Sequence, residues 1–159
     1  YAILLVENIY NVATERSIQL LRAAQSVGLL ITLTIIFLTS NVIYSLSLPY
    51  FINMVLIGMI CFFLSLQSLW SVNLDKKLSK EIIYYSFIVA AGVGELSLAL
   101  SFWPIENASF SLILSATYYA LVGTIQQRLS DRLFMNVIRE YLVVFIFTFI
   151  LTYLTTKWG

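Results

Sequence analysis

Residues 82–103 read IIYYSFIVAAGVGELSLALSFW, an apolar run with a single charge, Glu95, inside it. A helix of this length rises about 33 Å. That is enough to cross a hydrocarbon core of about 30 Å. Four more runs have the same character, at residues 25–46, 50–71, 107–126 and 141–157. In lipid every backbone N–H and C=O must find its partner within the protein, which a helix achieves by itself. The alternating pattern of a barrel strand is absent. The expected fold is therefore all-α, a single integral-membrane helical bundle over residues 1–159 with five spans.

Composition agrees. Of the 159 residues, 60% are hydrophobic and 11% charged. A soluble domain carries about 25% charged residues, and this chain could not cover a water-facing surface. The net charge of +1 gives no bulk attraction for nucleic acid, and none is expected as a partner. There is no histidine, and Cys61 is the one cysteine. That removes histidine-based metal sites, Ser-His and Cys-His catalysis, and any intrachain disulfide. No metal and no cofactor is expected. Phosphate loops, HExxH motifs and nucleophile elbows are also missing from the sequence.

The connections set the topology. Pro49 and Pro104 mark two short turns, since proline ends helices and restricts the residue before it. Spans one and two should pack antiparallel, as should spans three and four. The other two connections, 73–81 and 127–140, are longer and charged. Arg16 and Arg22 precede the first span. Lys76, Lys77 and Lys80 lie in one long loop, and Arg128, Arg132 and Arg139 in the other. Lys157 is alone at the opposite end. The positive-inside rule puts the basic loops in the cytoplasm and the C-terminus outside. Their plain role is topology and contact with anionic headgroups; docking of a protein partner there is the functional alternative.

Two segments precede the first span. The apolar stretch 1–6 is too short to cross and is expected to be the tail of an earlier helix. Residues 7–22 place Ile9, Val12, Ala13 and Leu20 on one arc and Glu7, Asn8, Asn11, Glu15, Gln19 and Arg22 on the other. They read as an interfacial helix lying on the inner leaflet. A plain extension of the first span is the competing reading.

Chemistry concentrates at Glu95. A charged group at the centre of a span costs about 2.5 kcal/mol or more, so the carboxyl is expected to face protein in its neutral form, able to donate one hydrogen bond. The expected partners are Tyr118 or Ser115, with Tyr119 next. Small residues on the same helix, Ala91, Gly92, Gly94 and Ala99, would let neighbouring backbones approach. The stripe Gly92–Glu95–Ala99 is narrow, and Ala90–Gly94–Ser97–Ser101 is narrower. The third span is thus the expected centre of the bundle. Glu95 reads in two ways: a proton or ion site of a transporter, or a buried acid that holds two helices together.

The stretches ENIYNVATERSIQLLRAAQSVGLL (7–30), SFWP (101–104) and RLFMNVIREYLVVFIFTFIL (132–151) resemble a family of uncharacterised multi-pass membrane proteins of small-genome, candidate-phylum bacteria. The resemblance implies a bacterial inner membrane and a longer parent chain with spans ahead of Tyr1. It supplies no activity, substrate or catalytic residue. With polar groups so scarce, the expected function is a structural or scaffolding subunit of an inner-membrane assembly. A small transporter or channel subunit using Glu95 is the alternative, and an intramembrane enzyme comes third.

Overall fold

The structure, a computed structural model, describes residues 2–6, 8, 18–73, 79–130 and 135–156. Among them there is no strand. A helical segment, α1, described over residues 2–6, precedes five long helices: α2 (Ile18–Ser45), α3 (Tyr50–Asn73), α4 (Lys80–Leu100), α5 (Asn107–Leu129) and α6 (Met135–Thr155). All five are long and apolar enough to cross a membrane, which fits a multi-pass membrane protein.

The helix boundaries shift from the expected ones for local reasons. Residues 18–22 are helical and form the start of α2; residues 7 and 9–17, which make up most of the expected interfacial helix, lie outside the described residues. Helix α4 stops at Leu100 and not at Trp103. The N–H of Ser101 bonds back to Ser97 and the chain turns before Pro104, because proline disfavours helical backbone in the residue ahead of it. Ser79 caps the start of α4, its hydroxyl accepting from the N–H of Ile82 at 3.3 Å. Helix α5 continues to Leu129 and α6 begins at Met135, so the second long loop is much shorter than 127–140. Between α2 and α3 the chain reverses at Ser47, which takes φ 49°, the left-handed region most side chains avoid. The carbonyl of Pro49 then accepts the first N–H groups of α3, from Ile52 and Asn53.

Both proline turns lie at one end of the bundle, the turn end; the charged connections lie at the other, the loop end. The expected antiparallel pairs α2–α3 and α4–α5 do touch, but the most extensive contact joins α3 to α4, and the next joins α2 to α5. The reason is backbone proximity. A Cβ on Gly58 would sit 3.4 Å from the carbonyl of Ala90, and one on Gly94 would sit 3.4 Å from that of Met54. Farther along, the Ser65 hydroxyl donates to the Ser86 carbonyl at 3.4 Å. Without a hydrophobic drive between helices in lipid, such close approach supplies dispersion and polar contacts instead.

The centre of the bundle is α5, not α4. It contacts α2, α3, α4 and α6, and half of its span is buried against 11% of the spans of α2 and α6. It is also the least hydropathic of the five. A helix surrounded by protein has less need of a lipid-compatible surface. Phe110, Ile113, Leu114, Tyr118 and Val122 point from it into the core. Aromatic contacts reinforce the turn end. Tyr44 stacks on Phe110 with centroids 4.0 Å apart, and Trp103 meets Phe149 and Tyr153 of α6. These rings join α2 to α5 and the end of α4 to α6.

Candidate functional site

The polar side chains of the spans are mostly spent locally. Thr32, Thr34, Thr39, Ser111, Ser115, Thr117, Thr124 and Thr148 each donate to the carbonyl four residues earlier at 2.7–2.9 Å. This back-bonding satisfies a hydroxyl within its own helix. Ser115 is one of these, bonded to Ser111 at 2.8 Å, and so it is not the partner expected for Glu95.

Neither is Tyr118. Its side chain is fully buried in the core, and its hydroxyl has no hydrogen-bond partner. Tyr119 is half-buried and meets the ring of Tyr141 on α6 edge-on, with centroids 5.0 Å apart. Glu95 itself is exposed, on the face of α4 turned away from the bundle. The expected Glu95–Tyr118 bond does not form. Of the two stripes of small residues on α4, the packed one is Ala90–Gly94–Ser97, all buried. Glu95 is one residue, or 100°, past Gly94, and is carried round to the outside with Ala99, which is also exposed. Ala91 and Gly92 are half-buried at the edge. A Cβ on Gly92 would meet Leu121 of α5 at 3.4 Å.

The position of Glu95 on α4 matters as much as its direction. It lies five residues before the end of the helix at Leu100, a rise of about 7.5 Å. The nearest water is therefore at the C-terminal end of α4. Side chains on a helix lean toward its N-terminus, so the carboxyl leans away from that water. Around it are exposed apolar groups, Phe87, Ile88 and Phe102. An acid held outside the protein interior, against lipid-compatible neighbours, is a chemical anomaly of the bundle's described surface.

A second polar feature was not foreseen from the sequence. Near the loop end, Gln126 of α5 donates to both the carbonyl and the hydroxyl of Ser68 on α3, at 3.2 and 2.9 Å. Gln25 of α2 donates to the carbonyl of Ser71, also on α3, at 2.9 Å. The two amides clamp α2 and α5 onto α3. A hollow of about 90 Å³ lies beside them, lined by Ile3, Val6, Gln25, Thr32, Ser68 and Ser71 among others. Among the described residues its lining carries no charged side chain, and its wall includes Ile3 and Val6 of α1. The available signal was pairing: Gln25 and Gln126 sit at the loop-end termini of their spans, where an amide either reaches water or must find a carbonyl. Interhelical hydrogen bonds in membranes average about 0.6 and reach about 1.7 kcal/mol. Gln126→Leu is expected to destabilise the bundle by about 1 kcal/mol, read as a shift in unfolding midpoint in mixed micelles.

At the turn end a larger open hollow of about 550 Å³ is lined by Tyr44, Ser47, Asn53, Ser101 and Asn107 among others. Asn53 is buried; its amide donates to the carbonyl of Leu48 at 3.4 Å while Oδ1 has no partner. Among the described residues the lining is uncharged.

Of the basic residues, Lys80, Arg128 and Arg139 are exposed at the loop end. The guanidinium of Arg128 lies over the ring of Tyr85, 5.7 Å from its centroid, a cation–π contact that ties the end of α5 to α4. Lys76, Lys77 and Arg132 lie outside the described residues.

No curated protein and no solved structure matches the chain. The family described as Protein of unknown function (DUF5656) matches it over residues 5–155, nearly its whole length. The chain belongs to the DUF5656 family.

Proposed function

We propose that the protein is a non-enzymatic structural subunit of an assembly in a bacterial inner membrane, and that it docks through the face of α4 that carries Glu95. The supporting observation is the exposure of that carboxyl within a helix fit to cross a membrane. A carboxyl facing lipid carries a cost in every copy of the protein. Covering it with another polypeptide removes the cost and turns it into a contact, which is the common fate of polar groups within spans. In this arrangement the basic loops face the cytoplasm, where Lys80, Arg128 and Arg139 meet anionic headgroups, and Lys76, Lys77 and Arg132 belong to the same loops. A protein partner at these loops is a secondary contact.

The transporter alternative needs Glu95 beside an internal path. Its place outside the bundle gives that alternative no support. The discriminating test is photo-crosslinking in the membrane from a benzophenone side chain at position 99, one turn from Glu95, with position 63 on α3 as the comparison. Phe63 is also exposed but has only apolar neighbours in prospect. A discrete protein adduct is expected at position 99. Lipid adducts alone at both positions would remove the docking face.

A further inference from the structure

We propose that the hollow at the turn end is a binding site for a neutral, polyhydroxylated group: a sugar, carried as the headgroup of a glycolipid or free in solution. The ends of four helices build it. Helix α2 ends there with Tyr44 and Ser45, α3 begins there with Tyr50 and Asn53, α4 stops just before Ser101, and α5 begins at Asn107. The volume of about 550 Å³ falls in the range of small-molecule sites, about 300–1,000 Å³. Such sites are lined mainly by apolar groups. Here each lining residue except Leu48 and Pro49 carries a hydroxyl or an amide. Irregular backbone is not exposed to hydrocarbon, so the two proline turns, and the hollow they border, sit at the level of the lipid headgroups.

Three observations set the chemistry of the ligand. First, the wall is rich in unspent acceptors. Asn53 is only 3% exposed; its amide donates to the Leu48 carbonyl at 3.4 Å and its Oδ1 has no partner. An unpaired buried acceptor is a net cost, which a donor on a ligand removes. The hydroxyls of Ser45 and Ser101 donate to the carbonyls of Val42 and Ser97 at 2.7 and 2.8 Å, so what they have left is lone pairs. Several hydroxyl groups on one ligand answer this wall, whereas a carboxylate brings no donor. Second, the helix dipoles oppose one another. Two N-termini and two C-termini meet around the hollow, and their partial charges favour neither sign of ligand. Third, two aromatic rings are held in place. Tyr44 stacks on Phe110, and Tyr50 lies 5.1 Å from the ring of Phe102. Rings fixed beforehand lose little freedom on binding, and each tyrosine offers apolar ring surface together with a hydroxyl. A sugar ring has the same two characters, C–H faces and a rim of hydroxyls.

The full chain in phosphatidylcholine nanodiscs tests this in two arms. In the first, saturation-transfer difference NMR compares maltose with glucuronate. In the second, native mass spectrometry of nanodiscs doped equally with monoglucosyl diacylglycerol and phosphatidic acid reads which lipid stays bound. Binding of the neutral sugar in at least one arm is expected, in preference to its anionic competitor; maltose alone identifies a soluble sugar, the glucolipid alone a headgroup. Asn53→Leu removes the unpaired acceptor and is expected to weaken binding about tenfold. Asn107→Trp, at an exposed position, fills the hollow and is expected to abolish binding while unfolding at the wild-type midpoint, so the test stands even where the Asn53 variant fails to fold. Thr34→Val, on an exposed part of α2, is expected to bind as wild type does. No sugar bound in either arm, equal or better binding of the anionic competitor, or sugar binding that survives Asn107→Trp would each overturn the proposal.

Discussion

Gly94→Leu is expected to destabilise the bundle by about 3 kcal/mol or more and to separate α3 from α4. A Cβ at this position would lie 3.4 Å from the Met54 carbonyl and 3.8 Å from the Gly58 Cα. Both are backbone atoms that cannot rotate away. Overpacked sites typically cost about 1–3 kcal/mol, sometimes more, and here the whole helix must retreat. Retreat also forfeits the Ser65–Ser86 hydrogen bond and the contact of Gly58 with Ala90. Gly94→Ala adds only the Cβ, at ordinary contact distance, and removes a glycine from a helix interior. Its net effect is expected within about 1 kcal/mol. Reversible unfolding in mixed micelles reads both. A Gly94→Leu protein as stable as wild type would mean that α3 and α4 do not pack along this stripe.

Tyr118→Ala is expected to cost about 3–5 kcal/mol, the usual range for removing a buried aromatic ring. The side chain is wholly enclosed at the centre of the bundle, among core residues that include Cys61, Ile113 and Val122. Tyr118→Phe is expected to be neutral or to stabilise by up to about 1 kcal/mol. Its hydroxyl has no hydrogen-bond partner at full burial, and an unpaired buried polar group is a net cost. The pair of variants separates packing from hydrogen bonding. If Tyr118 bonded Glu95, the phenylalanine variant would lose stability and double with Glu95→Val non-additively. Additive effects are expected instead, since the two side chains have no shared contact.

The five spans were legible because their signal is length and apolar composition, which the bilayer reads directly. The proline turns were legible for steric reasons. The loop-end boundaries were not: α2 starts at Ile18 and α6 at Met135, because a helix can continue past the apolar segment into polar residues such as Gln19 or Asn136 without any stop signal. Helix order in space was also poorly encoded. Short turns suggested two separate hairpins, whereas close packing between Gly58 and Gly94 makes α3–α4 the principal pair. The sign of α5's central place was present in its low hydropathy, with serines, threonines and two adjacent tyrosines in one span.

The direction of Glu95 was misread for a definite reason. Two stripes of small residues lie side by side on α4, 100° apart. Periodicity cannot say which one a neighbouring helix occupies, because both satisfy the spacing. Burial of Ala90, Gly94 and Ser97 resolves it and leaves the carboxyl outside. The assumption that an intramembrane acid must face the interior of its own chain fails where another polypeptide can supply the cover. The amide clamp at Gln25 and Gln126 escaped for a different reason: glutamine at a span terminus is also what solvent-facing positions look like.

The most direct test of the covered face is oxygen accessibility of nitroxide labels at positions 91, 97 and 99, measured by electron paramagnetic resonance in proteoliposomes and again in detergent at high dilution. Position 97 is expected to be protected in both, since it is packed inside the bundle. Positions 91 and 99 are expected to be protected in the bilayer and to open to oxygen when the assembly is diluted apart. High oxygen accessibility at position 99 in the bilayer would mean that Glu95 faces lipid, and it would contradict the assignment of this face as an interface.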